Sequence, residues 1–252
     1  METKTNFLKV SLLALFLFIT STAFAANNYV CIGGTFTIPA ITPALPGTTT
    51  YSWDIKKIVG GVHTSIGGIY PTTASTTYAP PTVIPAGAGA GEYEIVLIFG
   101  STDAAVCAPN AAQLSNIYVL PALSLTLAAP TNPAYCGSAA INSSVITATP
   151  AGFPAGANYS TDLVLEYSFT ATKDGNAVAD LSTVGTFDTA TGVFTVNTTV
   201  AGEYIVSTAV KYKLNGAGGA FLGGSNGCPS TPVASTKVTV SSTPATPIIS
   251  IG

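Results

Sequence analysis

The sequence contains no arginine. Its eight basic residues are all lysines, against eleven acids, and only 8% of the chain is charged, where a typical globular domain carries about a quarter. No basic patch exists to meet phosphates, so nucleic acid is excluded as a partner. Histidine occurs once, at His63, which leaves few ways to build a nucleophile–base pair or an imidazole metal site. No Cys-x-x-Cys or Cys/His ligand spacing is present, and no Asp-x-Asp-x-Asp calcium run. Helical periodicity is absent outside the first 25 residues. Beyond those residues no apolar run is long enough to span a bilayer.

What is present begins with that leading segment. Lys4 and Lys9 precede the apolar run "VSLLALFLFITSTAFA", which ends in Ala23-Phe24-Ala25. This is the pattern of a secretory signal peptide, and the run is too short for a membrane anchor. Without it, and so without Lys4, Lys9 and Glu2, six lysines face ten acids, a net charge of about −4. Four cysteines in an exported chain point to two disulfides, with three connectivities open.

The rest of the chain repeats itself. "YVCIG" from Tyr29 is echoed by "AYCG" from Ala134, and "TYSWDI" from Thr50 by "EYSFTA" from Glu166. "AGEYEIVLIF" from Ala90 matches "AGEYIVSTAV" from Ala201, and "CAPNAAQLSNIYVL" from Cys107 matches "CPSTPVASTKVTV" from Cys228. Drift in the spacing reads as loop insertion around "AGFPAGANYSTD" and "LNGAGGAFLGGSNG". Each copy is a series of short β-branched and aromatic segments bounded by Gly, Pro or Asn, which predicts strands. "KDGN" predicts a hairpin turn, since Asp174-Gly175 accepts positive φ angles. Many short strands at this spacing predict a two-sheet sandwich. Trp53 and Phe169, at equivalent positions, are expected to plug its core.

Cys-x-Gly before the first long strand, Tyr-Ser-Trp, Gly-Glu-Tyr opening a late strand and a Cys before the last strand occur in this order. Together they resemble the immunoglobulin-like (PKD-like) repeats of surface adhesins from Bacteroidota, as does the "TP-x-TP" linker. The likeness covers nearly all of the chain after residue 25, twice. It implies an all-β fold of two tandem immunoglobulin-like β-sandwich domains at a cell surface. The repeats imply pairing inside each copy, Cys31 with Cys107 and Cys136 with Cys228.

The copies differ at one place. The second begins with "LPALSLTLAAPTNPAY", where Leu123, Leu125 and Leu127 alternate with polar residues to give a strand with one apolar face. The first has only a few polar residues before Cys31. The expected equivalent lies instead in "TPATPIISIG", where Ile249 and Ile251 share a face and Ile248 precedes them. The N-terminal domain is thus expected to lack its own first strand, and Ile248, Ile249 and Ile251 to form a donor strand.

Other motifs carry little chemistry. "GGSNG" around Ser225 has the letters of a nucleophile elbow, but no strand-to-helix context, and His63 precedes it. His63 sits in a predicted exposed hairpin. Thr189, in Asp188-Thr189-Ala190, is a candidate O-glycosylation site. The expected organisation is a signal peptide over 1–25, domains over 26–121 and 122–241, and a linker with donor strand over 242–252. No catalytic residue, metal or cofactor is expected. The expected partner is the protein itself, as a head-to-tail extracellular filament. The alternative is a monomeric secreted adhesin that binds host or surface glycans.

Overall fold

The computed structural model describes residues 27–39, 49–66, 74–103, 113–139, 142–154, 159–216, 219–224 and 226–242. The chain is all-β. Its first half supplies β1 (Asn27–Cys31), β2 (Thr49–Val59), β3 (Val62–Ser65), β4 (Gly91–Ser101) and β5 (Gln113–Leu120). The second supplies β6 (Ser124–Leu127), β7 (Ala134–Cys136), β8 (Ser144–Ala151), β9 (Leu163–Lys173), β10 (Asn176–Ala177), β11 (Gly185–Asp188) and β12 (Val193–Val196). It continues with β13 (Gly202–Leu214), β14 (Gly219–Phe221), β15 (Val233–Ala234) and β16 (Val238–Ser241). A four-residue helical turn, Tyr159–Asp162, opens β9.

The second half is a sandwich of two sheets, ordered β6-β8-β12-β11 and β7-β16-β13-β9-β10, with β15 also on β13. In sandwich nomenclature these are A-B-E-D and A′-G-F-C-C′, the immunoglobulin arrangement with a divided first strand. The first half repeats the second of these sheets strand for strand. β1, β5, β4, β2 and β3 stand in the order of β7, β16, β13, β9 and β10. β1 runs parallel to β5 as β7 runs parallel to β16. Both halves are therefore immunoglobulin-like.

The recurring Gly-Glu-Tyr is explained by a shared corner. Tyr93, fully buried at the start of β4, donates its hydroxyl hydrogen bond to Ala88 O at 2.6 Å. Tyr204 at the start of β13 donates to Val200 O at 2.9 Å. A tyrosine that closes back on the backbone a few residues upstream is the corner typical of this fold's F strand. It satisfies a hydroxyl that would otherwise be buried unpaired.

Strand alternation sets the cores. Trp53 and Ile55 of β2, with Tyr93, Ile95 and Leu97 of β4, point into the first core along with Phe36 and Ile84. Phe169 and Ala171 of β9, with Tyr204, Val206 and Val210 of β13, meet Ile146, Phe194 and Val196 in the second. Trp53 and Phe169 are both buried, in the packing role expected of them. Asp174 and Gly175, at φ +49° and +81°, make the turn between β9 and β10.

Among the described residues the A-B-E-D sheet does not recur. Among the described residues its counterpart in the first half is one antiparallel bridge, Thr35 to Val83, with Phe36 N–H donating to Thr82 O at 2.8 Å. No described strand occupies the place of β6. Residues 27–31 do form a strand, but one equivalent to β7.

Candidate assembly interface

The junction between the halves shows how one domain of this chain engages the next. The Gly-rich stretch after β13, expected as an inserted loop, contributes β14 instead. β14 adds in parallel to the outer edge of β1, with Asn28 opposite Ala220 and Tyr29 opposite Phe221. Leu222 N–H continues the ladder to Tyr29 O at 2.8 Å. Tyr29 is fully buried, with Phe221 and Tyr118 at ring-centroid distances of 6.2 and 6.3 Å. Its hydroxyl donates to Asp162 Oδ2 at 2.8 Å. Tyr212 bridges the same region by donating to Pro121 O and Gly152 O, both at 3.0 Å. Burial pushes its phenol well above the usual range.

Gly223 fits this contact because it has no side chain. Its φ is +66°, and a Cβ there would lie 1.6 Å from Thr35 O. Five residues on, Cys228 is bonded to Cys31, with Cα atoms 5.5 Å apart.

That bond corrects the expected pairing of Cys31 with Cys107 and of Cys136 with Cys228. Cys31 closes β1 opposite Leu120, at the linker end of the sheet. The segment that holds Cys107 leaves β4 after Ser101 and re-enters at Gln113, the other end of β5. Seven residues of strand separate those ends by about 23 Å, whereas a disulfide needs Cα atoms within about 7 Å. The cysteine within reach belongs to the following domain. Cys107 itself lies outside the described residues. Cys136, half-exposed at the end of β7, is free. Its Sγ is 3.6 Å from Ser138 Oγ and 4.0 Å from Ser242 O. The backbone and hydroxyl of Ser138 pull its pKa below the ordinary thiol value.

The second element of the site is the edge that β6 covers in one half and nothing described covers in the other. In the second half, β6 pairs antiparallel with β8 from Ser124 opposite Ala151 to Leu127 opposite Ala148. Leu123 and Leu125 are buried there. Ala128 N–H and Thr131 N–H continue the cover to Thr147 O and Val145 O. In the first half the equivalent segment is Thr35–Ile38, which makes one bridge, Thr35 to Val83, rather than a strand. Phe36 is buried, Ile38 is half-buried against the same core, and Thr35 and Thr37 face out. Gly223 abuts Thr35 O, and no described strand pairs with the remainder. Ile248, Ile249 and Ile251, expected to form a donor strand, lie outside the described residues.

The remaining expected positions stand apart from this site. Thr189 is exposed in the turn between β11 and β12, where Asp188 Oδ1 accepts from Ala190 N–H at 2.8 Å. His63 lies on exposed β3 with its Nδ1 3.0 Å from Glu94 Oε2. That contact is part of a surface charge group with Lys56. Ser225 lies outside the described residues. Among the described residues no cluster of His, Cys, Asp or Glu could hold a metal ion, and no helix is long and apolar enough to cross a membrane.

Two signals that sequence reasoning missed were present in letters. The first is the tyrosine corner, in the two Gly-Glu-Tyr triplets. The second is the apolar triplet Ala220-Phe221-Leu222 inside an otherwise Gly-rich stretch, whose strand conformation depends on the β1 edge it meets.

No family model matches the chain, and no curated protein matches it. Among solved structures it is similar to the I-band fragment I67–I69 from titin, at 12% identity and a TM-score of 0.41, over 87% of this chain and 64% of that one. It is also similar to murine CEACAM1b, at 13% identity and a TM-score of 0.30, over 85% and 96%. The titin tandem A164–A165 aligns at 12% identity and a TM-score of 0.28, over 88% and 95%. The chain thus spans under two thirds of the titin I-band fragment.

Proposed function

We propose that this protein is the structural subunit of an extracellular filament, joined head to tail by donor-strand complementation. The strand at Ile248–Ile251 of one copy pairs with the Thr35–Ile38 edge of the next, as β6 pairs with β8 within one chain. One observation supports this reading above the others. The two halves share the A′-G-F-C-C′ sheet strand for strand, whereas the described residues of the first half carry only the Thr35–Val83 bridge in place of the other sheet, with no described strand at the position of β6.

A strand edge with free N–H and C=O groups beside apolar side chains is a template for an added strand. Tail and edge are different surfaces, so each copy gives one and receives one, and such contacts propagate instead of closing. Burying two isoleucines contributes about 3–6 kcal/mol. Ladder hydrogen bonds add about 0.5–1.5 kcal/mol each, and ordering the tail costs about 1–2 kcal/mol per residue. The strand alone is marginal. The parallel β1–β14 contact is the kind of additional domain–domain surface that would make the joint durable.

Negative-stain microscopy of the exported protein tests the reading. Fibres are expected, and deletion of residues 244–252 is expected to abolish them while leaving a folded monomer by circular dichroism. Fibres that persist after the deletion would refute the donor assignment. A wild-type protein that stays monomeric would favour a surface-binding module.

A further inference from the structure

We propose that Lys211 and Asn226 are joined by an isopeptide bond formed with the help of Glu166, and that this bond fixes the segment carrying β14. The inference concerns chemistry inside one chain and stands apart from the head-to-tail reading above.

Three side chains meet on the outer face of the F strand. Lys211 of β13 stands opposite Glu166 of β9 in the sheet register. Neighbours in register share a face, while Tyr212, the next residue, turns inward and is buried. Lys211 Nζ lies 3.2 Å from Glu166 Oε2 and donates a hydrogen bond to Asn226 Oδ1 at 3.2 Å. One amine therefore touches both a primary amide and a carboxylate. Amide transfer to a lysine needs these three parts: a nucleophile, a carbonyl carbon with a leaving nitrogen, and a group to move protons. Glu166 does not depend on Lys211 for its charge balance, since Lys213 Nζ lies 2.7 Å from its other oxygen. It keeps that partner after Lys211 has reacted.

The backbone holds the group in place. Gly227 O, one residue after Asn226, accepts from Tyr212 N–H at 2.7 Å, and Ser230 N–H donates to Val210 O at 2.8 Å. Ser230 Oγ accepts from Val210 N–H at 3.1 Å. Residues 227–230 are thus laced to β13. Gly227 has a φ of +72°, and a Cβ there would lie 1.9 Å from Tyr212 O, so glycine permits the approach that sets Asn226 beside Lys211. Cys228 is tied to Cys31 immediately afterwards. Reactants fixed in good alignment behave as if at effective molarities of about 10⁵ M or more, which offsets the low reactivity of an amide. The side chains of Lys211 and Glu166 are 30% and 29% exposed, and the open cleft beside them, bordered by Phe221, lets ammonia depart.

Glu166 takes a proton from the Lys211 ammonium, and the freed amine attacks Cγ of Asn226. A carbon–nitrogen bond forms, and the carbonyl oxygen becomes an oxyanion. Glu166 passes its proton to Nδ2 and takes another from the attacking nitrogen. The bond from Cγ to Nδ2 then breaks, the carbonyl re-forms, and ammonia leaves with the proton from Glu166 as ammonium. One side-chain ammonium and one primary amide become one secondary amide and one free ammonium ion. The balance requires no oxidant and no water.

The product is a closed ring from Lys211 to Asn226 that contains β14. Phe221 and Leu222, which meet β1 of the first half, are then presented from a tethered loop. That lowers the ordering cost of docking β14 on β1.

Mass spectrometry of the purified exported protein, with its disulfide reduced, tests the bond. The protein is expected to be lighter by one ammonia than the sequence of the exported chain. Trypsin is expected to leave Lys211 uncut and to release a branched peptide that links Lys211 to Asn226. Lys211→Arg and Asn226→Ala, both at the surface, should each carry the full mass of their own sequence and yield linear peptides. Glu166→Gln should slow linkage by about 10²-fold or more, the usual worth of a positioned proton-transfer group. A protein of full mass that trypsin cuts at Lys211 would overturn the proposal. So would a loss of ammonia confined to a ring between Asn226 and Gly227, with Lys211 free. Linkage at the wild-type rate in Glu166→Gln would overturn the role of Glu166. None of these outcomes depends on fibres, so failure here is distinguishable from failure of the head-to-tail reading.

Discussion

Replacing Cys31 and Cys228 together by serine should destabilise the protein more than any single side-chain change in either core. The bond closes a loop with a sequence separation of 197 residues. In the chain-entropy description, a ring of that size restricts the unfolded ensemble enough to contribute about 5 kcal/mol. The native junction should survive the change. β1 keeps its ladders to β5 and β14, and Tyr29 stays buried, so the effect falls mainly on the unfolded state. The single tryptophan, Trp53, sits in the first core and reports that half by fluorescence, while circular dichroism reports all strands. With a urea slope of about 2–3 kcal/mol per molar for a chain of this size, the midpoint should fall by about 2 M. The tryptophan signal should also unfold ahead of the dichroism, because the halves are no longer tied. A double variant whose two transitions coincide at the wild-type midpoint would refute the reasoning. So would a non-reducing peptide map that joins Cys31 to Cys107.

Gly223→Ala should lose more than about 2 kcal/mol of stability in the same urea assay, since the left-handed backbone costs about 1–2 kcal/mol and the new Cβ meets Thr35 O. Gly224→Ala, with φ +67° but open space around it, should lose only the backbone cost, so equal losses would show that the contact with Thr35 is unimportant. Tyr29→Phe should cost about 1.5–3 kcal/mol by denaturation, the worth of a hydrogen bond to a charged acceptor, here Asp162. An unchanged midpoint would contradict that bond. Lys213, and after it Lys211, hold the Glu166 carboxyl below its usual range. The folded pKa is lower than the unfolded one, so this contribution is complete above about pH 4.3 and is lost as pH falls through the folded value. The ion pairs are substantially exposed, which limits the effect to under about 1 kcal/mol. Lys213→Gln should flatten that acid limb of a pH–stability curve.

The repeated fold was legible because its period is carried by residues that must be buried. Trp53 and Phe169, and Tyr93 and Tyr204, recur at matching strand positions, and side-chain alternation on a strand leaves few choices for what faces the core. β14 left only a weak trace, the apolar triplet Ala220-Phe221-Leu222, for the opposite reason. Gly219–Phe221 has no alternation, and its conformation is imposed by the β1 edge. The disulfide was misread because repetition identifies equivalent cysteines without saying whether equivalents bond within one domain or across to the next. Only the sheet register, with Cys31 at the linker end opposite Leu120, decides that. No described strand covers Thr35–Ile38, and in the letters no Leu123–Leu127 equivalent precedes Cys31. What the letters did not reveal is that residues 27–31 form the A′ strand of the other sheet.

The bond from Cys31 to Cys228 also changes what a protease can accomplish. Every peptide link from residue 31 to residue 228 lies inside a ring closed by sulfur. The exposed hairpin at Gly60–Gly61 and the linker after Leu120 are both within it. A single backbone cut anywhere in that ring opens the loop but frees no fragment unless a reductant acts as well.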